Sequence, residues 1–361
     1  IYTGEDTLSL HDALPICLII NLLQSWNSSD CIVNMAFDTT ASNTGHVSAA
    51  CVSIQRRLNK PLLWSGCRHH IGEVLLTQIF SDLKIEVSKS PEVFLFQRFR
   101  KNFNKLPQSN KHSSLATLKK ESFSDEAIDF IAECKSNTIN QATMKLHLCR
   151  DDYKEFIQLC MVYLDVPQER ELVTFRKPGA LHKARWMSKL LYSIKLSLLE
   201  SEIKKLPQGT ITARHQSKKI RDFVNFVTLI YCSWWIECSS AADAPWNDLC
   251  LYKRLLKYEV VNEEISRSGV KALSRHLWYL TTDMVPLALF SAKVPNDERR
   301  RLADRLLAVK PNKDVISPSN RFGMGFGKPT FPEDLSATTT LADLVNSDSW
   351  FIFKLLHLQA D

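Results

Sequence analysis

The stretch CIVNMAFDTTASNTG, residues 31–45, decides the fold. Residues 31–37 form a near-continuous apolar run with β-branched members, which is the pattern of a strand buried on both faces. The run ends at Asp38, and the Thr, Ser, Asn and Gly residues that follow are typical of a loop that leads into a helix. The stretch therefore predicts a buried strand that carries a carboxylate at its carboxyl end.

The next residues continue an alternation of helix and strand. Apolar residues at helical spacing predict a helix over residues 47–58, which Lys60-Pro61 ends. Leu62–Trp64 predicts a second short strand, and His70–Leu83 predicts an apolar helix. The order strand, helix, strand, helix indicates a piece of an α/β sheet.

After residue 84 the pattern becomes helical. Strand signals are scarce there, apart from Leu172–Phe175, and the Pro- and Gly-rich residues 311–336 predict a loop. Helical periodicity recurs over Glu92–Phe103, Ser124–Ala132, Asp151–Leu164, Ala184–Ile203, Ile220–Cys238, Leu249–Tyr258 and Lys271–Phe290. A second, mostly helical layer is therefore predicted.

Composition indicates an ordinary globular protein. Of the 361 residues, 45% are hydrophobic and 24% charged, and no apolar run approaches the roughly 20 residues that span a bilayer. We therefore expect no membrane association. The ten cysteines contain no Cys-x-x-Cys pair, which favours a reducing compartment, nuclear or cytoplasmic, over a disulfide framework.

The positive charge is unevenly distributed. The net charge is +7, and Lys and Arg residues are concentrated between Arg176 and Arg221, including Lys183, Lys189 and Lys195. Such a field attracts the phosphate backbone of nucleic acids. Charge alone favours the alternative, in which these residues form a solvated helix face.

Two short motifs carry residues with metal-binding chemistry. A carboxylate at the end of a buried strand, as at Asp38, can bind Mg²⁺ through oxygen, and its alternative role is to cap the following turn. Cys67-x-x-His70 has the spacing of half a zinc site. The second half is missing from the sequence, which favours a polar helix start instead.

These motifs together resemble the core of hAT-type transposases. The shared features are the apolar strand ending in Asp38, the Ala-Ser-Asn turn, and the helix and strand that lead to Cys67-x-x-His70 and an apolar helix. The resemblance implies an α/β ribonuclease-H-like core with a large all-α insertion, and a chain that is mostly helical. It is strong over residues 31–83 and moderate over residues 179–195.

The resemblance also implies residue roles. Asp38 matches the second catalytic Asp and a Mg²⁺ ligand, while Cys67 and His70 match the family's Cys-x-x-His signature. Arg185-Trp186 resembles the insertion motif near bound DNA, with Met187 in place of the usual Asn. Arg185 would bind a phosphate and Trp186 would stack on a base, with core packing as the alternative for Trp186. The neighbouring Lys183 and Lys189 are further DNA-binding candidates.

The domain boundaries follow from the same comparison. Residues 1–16 resemble translated sequencing-adapter read-through, and the first strands of the core, with the first catalytic Asp, are expected upstream of this fragment. Asp283 is the best candidate for the third acid, and a solvent-facing helix residue is its alternative. The predicted segments are 1–16 (leader), 17–83 (partial core), 84–270 (helical insertion), 271–310 (returning core helix) and 311–361 (loop-rich tail with a C-terminal helix).

Two functions remain open on the sequence. The first is a transposase-derived protein with ancestral Mg²⁺-dependent DNA strand cleavage and transfer, inactive in this fragment because the acid set is incomplete. The second is a non-catalytic scaffold that binds DNA or protein through the helical insertion. The resemblance further implies self-association.

Overall fold

The fold was analysed in a computed structural model that describes residues 10–46, 49–85, 93–109, 115, 117–118, 123–145, 151–166, 174–178, 185–207, 210–211, 214–309 and 328–358. The prediction of a mostly helical chain is confirmed. The α-helices are α1 (Leu10–Ser25), α2 (Ala41–Thr44), α3 (Ala50–Leu58), α4 (Arg68–Asp82), α5 (Phe94–Asn102), α6 (Asp125–Lys145), α7 (Asp151–Tyr163), α8 (Arg185–Leu198), α9 (Glu200–Lys205), α10 (Arg214–Phe226), α11 (Cys232–Glu237), α12 (Ala244–Lys257), α13 (Glu263–Leu273), α14 (Asn296–Ala308) and α15 (Phe351–Leu355).

The chain divides into two compact units that interleave in sequence. The first unit consists of residues 1–71, 239–250 and 273–361, and the second of residues 72–238 and 251–272. The chain leaves the first unit within α4. It returns to that unit for residues 239–250, and finally at Leu273, the last residue of α13.

The first unit contains the predicted pair of strands. β1 (Asn34–Phe37) and β2 (Leu63–Gly66) are parallel, with Asn34 opposite Leu63 and Phe37 opposite Gly66. Helices α2 and α3 form the connection between them, as parallel strands require. The pair is therefore a strand–helix–strand unit whose two carboxyl ends lie side by side.

β1 is less buried than the sequence predicts. It begins at Asn34, and its residues alternate between exposed (Asn34, Ala36) and half-buried (Met35, Phe37). The expectation of burial on both faces is wrong because only one face of this strand is covered within the described residues. The larger side chains take the covered face, in the period of two that a strand imposes.

A polar clamp attaches α3 to β2. The side chain of Gln55 is fully buried, and its Oε1 accepts hydrogen bonds from the Leu62 backbone nitrogen at 2.8 Å and from Trp64 Nε1 at 3.2 Å. One amide oxygen thus satisfies the backbone donor just before β2 and a buried indole donor. Burying these groups without a partner would cost about 1–3 kcal/mol each.

An aromatic cluster covers the end of the strand pair. Trp278 stacks on Trp64, with ring centroids 5.9 Å apart and an interplanar angle of 13°, and Phe37 meets both rings edge-on at 5.4 Å. Trp278 also lies against Gly66, where an added Cβ would stand 2.7 Å from Trp278 Cδ1. The following residue, Tyr279, donates a hydrogen bond from its hydroxyl to the Gly66 carbonyl at 3.0 Å.

The segment that carries Trp278 is not the long helix that the sequence predicts. Over residues 271–290, α13 ends at Leu273, and two 3₁₀ helices follow at Trp278–Leu280 and Val285–Phe290. Pro286 is the second residue of the latter and lacks the N–H that a continuing α-helix needs. Asp283 therefore lies in the turn between them and not on a helix face.

Other boundaries differ from the prediction. α1 begins at Leu10, inside the predicted leader, and Ile16 is buried. The stretch 220–238 is interrupted by a π-helical turn at Val227–Tyr231. Of the predicted strand at Leu172–Phe175, Thr174 makes an isolated bridge to Ser109, and residues 172–173 lie outside the described residues.

No helix within the described ranges is both long and apolar enough to cross a membrane.

We predict that Gly66→Ala destabilises the first unit. The new methyl group would meet the rigid indole ring of Trp278, so the expected loss is about 2 kcal/mol in the free energy of unfolding. Denaturant unfolding measures it. The matched control is Gly269→Ala in α13, where the nearest atom is the terminal Cδ2 of the flexible Leu255 at 2.6 Å, and a smaller effect is expected. Equal losses in both variants would contradict the role assigned to Trp278.

Candidate functional site at the carboxyl end of the strand pair

Two of the predicted motifs meet at the carboxyl ends of β1 and β2. Asp38 directly follows β1, and Cys67 follows β2 and leads into α4. The Cys67 backbone nitrogen donates a hydrogen bond to the Phe37 carbonyl at 2.7 Å, which joins the two strand ends. Ligands of open α/β sheets bind at this edge.

Asp38 is exposed, and its own loop holds its side chain in place. Its Oδ1 accepts hydrogen bonds from the Thr40 hydroxyl at 2.5 Å, the Asn43 amide at 2.8 Å and the Thr40 backbone nitrogen at 3.1 Å. The Thr40 hydroxyl is the largest cause of a lowered pKa of Asp38, to which Asn43 and His70 also contribute. Asp38 is thus a fixed, ionised carboxylate whose Oδ2 takes part in none of these bonds.

His70 connects Asp38 to the start of α4. It lies in the first turn of that helix, three residues after Cys67, and its electrostatic interaction with Asp38 brings the two predicted motifs together. Within the part of the chain that the structure describes, no group of three or more His, Cys, Asp or Glu residues could hold a metal ion. Cys67 and His70 therefore do not belong to a complete zinc site there.

Arg68, the residue between these two, has a structural role. Its Nη1 forms an ion pair with Asp248 Oδ1 at 2.6 Å, and its Nη2 donates to Asn247. The Asp248 side chain is 0% exposed, and the guanidinium lies 5.7 Å from the centre of the Tyr279 ring. A buried carboxylate needs such a partner, because an unpaired buried charge is strongly destabilising.

The structure adds a histidine that the sequence did not single out. His276 is half-buried near His70. Burial, followed by the nearby charges of His70, Lys328 and Arg275, lowers the pKa of His276 to about 4. This imidazole is therefore neutral at physiological pH. Nothing in the local pattern of residues 271–290 distinguishes it from a surface histidine of a predicted helix.

Asp283 lies in a different place from Asp38. It is only 7% exposed, so the alternative of a solvent-facing residue is wrong. It lines a cavity of about 420 Å³, together with Lys328, Phe331, Asp343 and Asp348. Asp38 does not line this cavity, and the structure does not bring the two predicted acids into one site.

The predicted DNA-binding residues lie in the second unit. Arg185 and Trp186 form the first turn of α8, while their side chains and the whole of Lys183 lie outside the described residues. Lys189 is half-buried, and burial lowers its pKa against the opposing effect of Glu73. It is therefore less suited to contact phosphate than an exposed lysine.

Most of the described basic side chains between residues 176 and 221 have acidic partners. Lys195 is almost fully buried and pairs with Glu155 at 2.7 Å, because α7 packs against α8. The other pairs on this stretch are Lys204 with Glu200, Lys205 with Glu202, Arg221 with Glu200, and Arg176 with Asp151. The stretch is therefore not a continuous unpaired basic face.

We predict that Thr40→Val raises the pKa of Asp38 towards its ordinary value. The substitution removes the strongest hydrogen bond to the ionised carboxylate and keeps the size of the side chain. An NMR titration of the carboxyl carbons measures the shift. The control is Ser42→Ala, because Ser42 Oγ lies 3.1 Å from Thr40 Oγ1 and bonds to Asp38 only through it. A pKa of Asp38 that does not change in Thr40→Val would contradict this account.

Comparison with known proteins gave no match, whether against protein-family models, curated proteins or solved structures. Any proposal for the activity of this chain accordingly starts from its own residues.

Proposed function

We propose that this chain is a DNA-binding protein of the hAT-transposase type whose ribonuclease-H-like core does not itself cut DNA. The observation that carries the proposal is the distribution of charge between the two units. The second unit contains 31 Lys and Arg against 22 Asp and Glu, a net +9, whereas the first contains 15 against 17, a net −2. All of the positive excess therefore belongs to the helical unit, and nucleic acids bind to such a surface through their phosphates.

The arrangement of the first unit supports the assignment of the core. A parallel strand–helix–strand unit presents Asp38 at its carboxyl edge, and the chain then continues through α4 into a separate helical unit. The resemblance to hAT transposases implies this order of elements. It also implies that Asp38 belongs to the acid set of the core.

The described residues do not fit a pair of Mg²⁺ ions. Two-metal phosphoryl transfer uses about three carboxylates that converge on one point. Asp38 contributes one oxygen, Oδ2, because three donors already occupy Oδ1. No group of three or more acidic, Cys or His residues converges within the described ranges, and Asp283 lines a different cavity. No catalytic step is therefore assigned to these residues.

The end of α5 offers a contact surface for DNA in the second unit. Arg100 and Lys101, in its last turn, and Lys105, just beyond it, are exposed. No ion pair to an acidic residue is seen for these three cations within the described part of the chain. They differ in this respect from Lys204 and Lys205, which Glu200 and Glu202 already neutralise.

We predict that the double variant Arg100→Ala/Lys101→Ala weakens binding to duplex DNA. Two lost phosphate contacts should reduce the slope of log K against log salt by about 2. Fluorescence polarisation across a salt series, with a labelled duplex of mixed sequence, measures this slope. The same assay on Arg185→Ala tests the motif at the start of α8.

The matched control is Lys204→Ala/Lys205→Ala, which removes the same amount of charge from the same unit. We expect it to leave the slope nearly unchanged, because these ammonium groups are already paired. Equal effects of the two double variants would show that net charge alone matters, and would count against α5 as the contact surface.

A cleavage assay tests the catalytic half of the proposal. We expect no Mg²⁺-dependent nicking of supercoiled DNA by the wild-type chain, because no group of three acidic, Cys or His residues converges on Asp38 among the described residues. Nicking that Asp38→Asn abolishes, and that the exposed control Asp30→Asn retains, would overturn the proposal in favour of an active nuclease.

A protein-binding scaffold is the second candidate. The internal pairing of the basic stretch around α8 and α9 favours it, since paired charges attract phosphate weakly. Absence of DNA binding even at about 50 mM salt, where phosphate contacts are strongest, would select this candidate.

A further inference from the structure

Several buried polar atoms of the first unit have no hydrogen-bond partner among the described residues. Three of them are Thr39 Oγ1, His276 Nδ1 and Trp278 Nε1. Thr39 is 7% exposed and Trp278 is 1% exposed, so bulk water does not serve these atoms freely. A buried polar atom without a partner is destabilising, so each one calls for an explanation, and a bound ion is one such explanation.

Two of these side chains lie at the junction where β2 passes into α4. An added Cβ on Gly66 would lie 2.7 Å from Trp278 Cδ1, the carbon bonded to Nε1, and 3.1 Å from Thr39 Cγ2. His276 interacts electrostatically with His70 in the first turn of α4. We call Thr39, His276, Trp278 and Lys328 the junction cluster.

Basic groups lie near the junction, and one of them, Lys328, also lines the cavity of Asp283, Asp343 and Asp348. Lys328 Nζ lies 4.8 Å from the centre of the Trp278 ring and 4.7 Å from that of Phe331. The charged groups that act on His276 are His70, Lys328 and Arg275, all of them basic. Asp38 acts on His70 but is not among the charges that shift the pKa of His276. The 15-residue α4 adds the positive end of its dipole.

We infer that the junction cluster binds a phosphate group. Trp278 Nε1 and Thr39 Oγ1 are placed to donate hydrogen bonds, and the Lys328 ammonium supplies the opposite charge. His276 becomes a second cationic donor when a bound dianion favours its protonated form. The site belongs to the first unit, so it goes beyond the proposed DNA contact on the second unit and does not depend on it.

Calorimetry with inorganic phosphate at about pH 6 tests this inference, in two buffers that differ in ionisation enthalpy. At this pH free phosphate is mostly the monoanion, so binding as the dianion releases one proton, and His276, whose pKa without ligand is about 4, takes one up. We therefore expect almost no net exchange of protons with the buffer. His276→Gln should convert this into net proton release, whereas the exposed His357→Gln should behave as the wild type. Absence of binding up to about 10 mM phosphate would overturn the inference.

Variants of Lys328 separate the contribution of its charge to phosphate binding from the contribution of its packing. Lys328→Met should weaken phosphate binding about tenfold, as the loss of one charge-assisted hydrogen bond implies, whereas Lys328→Arg should largely preserve it. The control is Lys354→Met, an exposed lysine of the same unit. Equal weakening by Lys328→Met and Lys354→Met would overturn the inference, and thermal unfolding confirms that the variants fold.

Competition identifies the source of the phosphate. A 5′-phosphorylated oligonucleotide that displaces inorganic phosphate, where the 5′-hydroxyl form does not, supports a terminal phosphate of nucleic acid as the ligand. If neither displaces it, free phosphate is the ligand. The Arg100→Ala/Lys101→Ala variant should leave this binding unchanged, so a failure here and a failure of the DNA-binding proposal are distinguishable.

Discussion

The packing at the end of β2 requires a residue without a side chain at position 66, which is Gly66. The indole ring of Trp278 lies where a Cβ would stand, and from there it stacks on Trp64 and meets the edge of Phe37. Tyr279 then reaches the carbonyl of the same glycine. This single close approach fixes the returning segment against the strand pair, and the positions of Thr39, His276 and the start of α4 relative to one another depend on it.

Two ionisable groups near this edge have opposite environments, one solvated and one desolvated. Asp38 is solvated and receives three hydrogen bonds, which stabilise its charged form. His276 is desolvated and surrounded by cations, which stabilise its neutral form. His70 interacts with both, so a ligand bound on one side changes the field that acts on the other. The excess positive charge of the chain belongs to the second unit.

The sequence predicted the elements whose ends are set by local conformational preferences. The apolar run before Asp38, the proline after Lys60 and the apolar helix after Cys67 correctly placed the strand–helix–strand unit, because each element begins or ends on a residue with a strong conformational preference. The exposure of β1 was not predictable, since it depends on how many strands lie beside it. The 3₁₀ turns at residues 278–290 were missed because apolar spacing does not separate a helix from turns packed on a sheet.

Contacts between residues far apart in the chain limit how much of the candidate site can be predicted from the sequence. Lys195 looks like a free cation in the sequence, but α7 supplies Glu155 as its partner. Arg68 precedes its partners Asn247 and Asp248 by about 180 residues, and His276 and Trp278 reach the strand edge from an even greater separation. Motif spacing carries no information about such pairs.

The interleaving of the two units has a consequence for biosynthesis. The Gly66 carbonyl can accept its hydrogen bond only after Tyr279, 213 residues later in the chain, has been synthesised. The aromatic cluster likewise forms only then. Until then, Trp64 lacks the ring that stacks on it, and exposed apolar surface favours aggregation. The strand pair of the first unit is therefore completed only after the whole second unit has been synthesised.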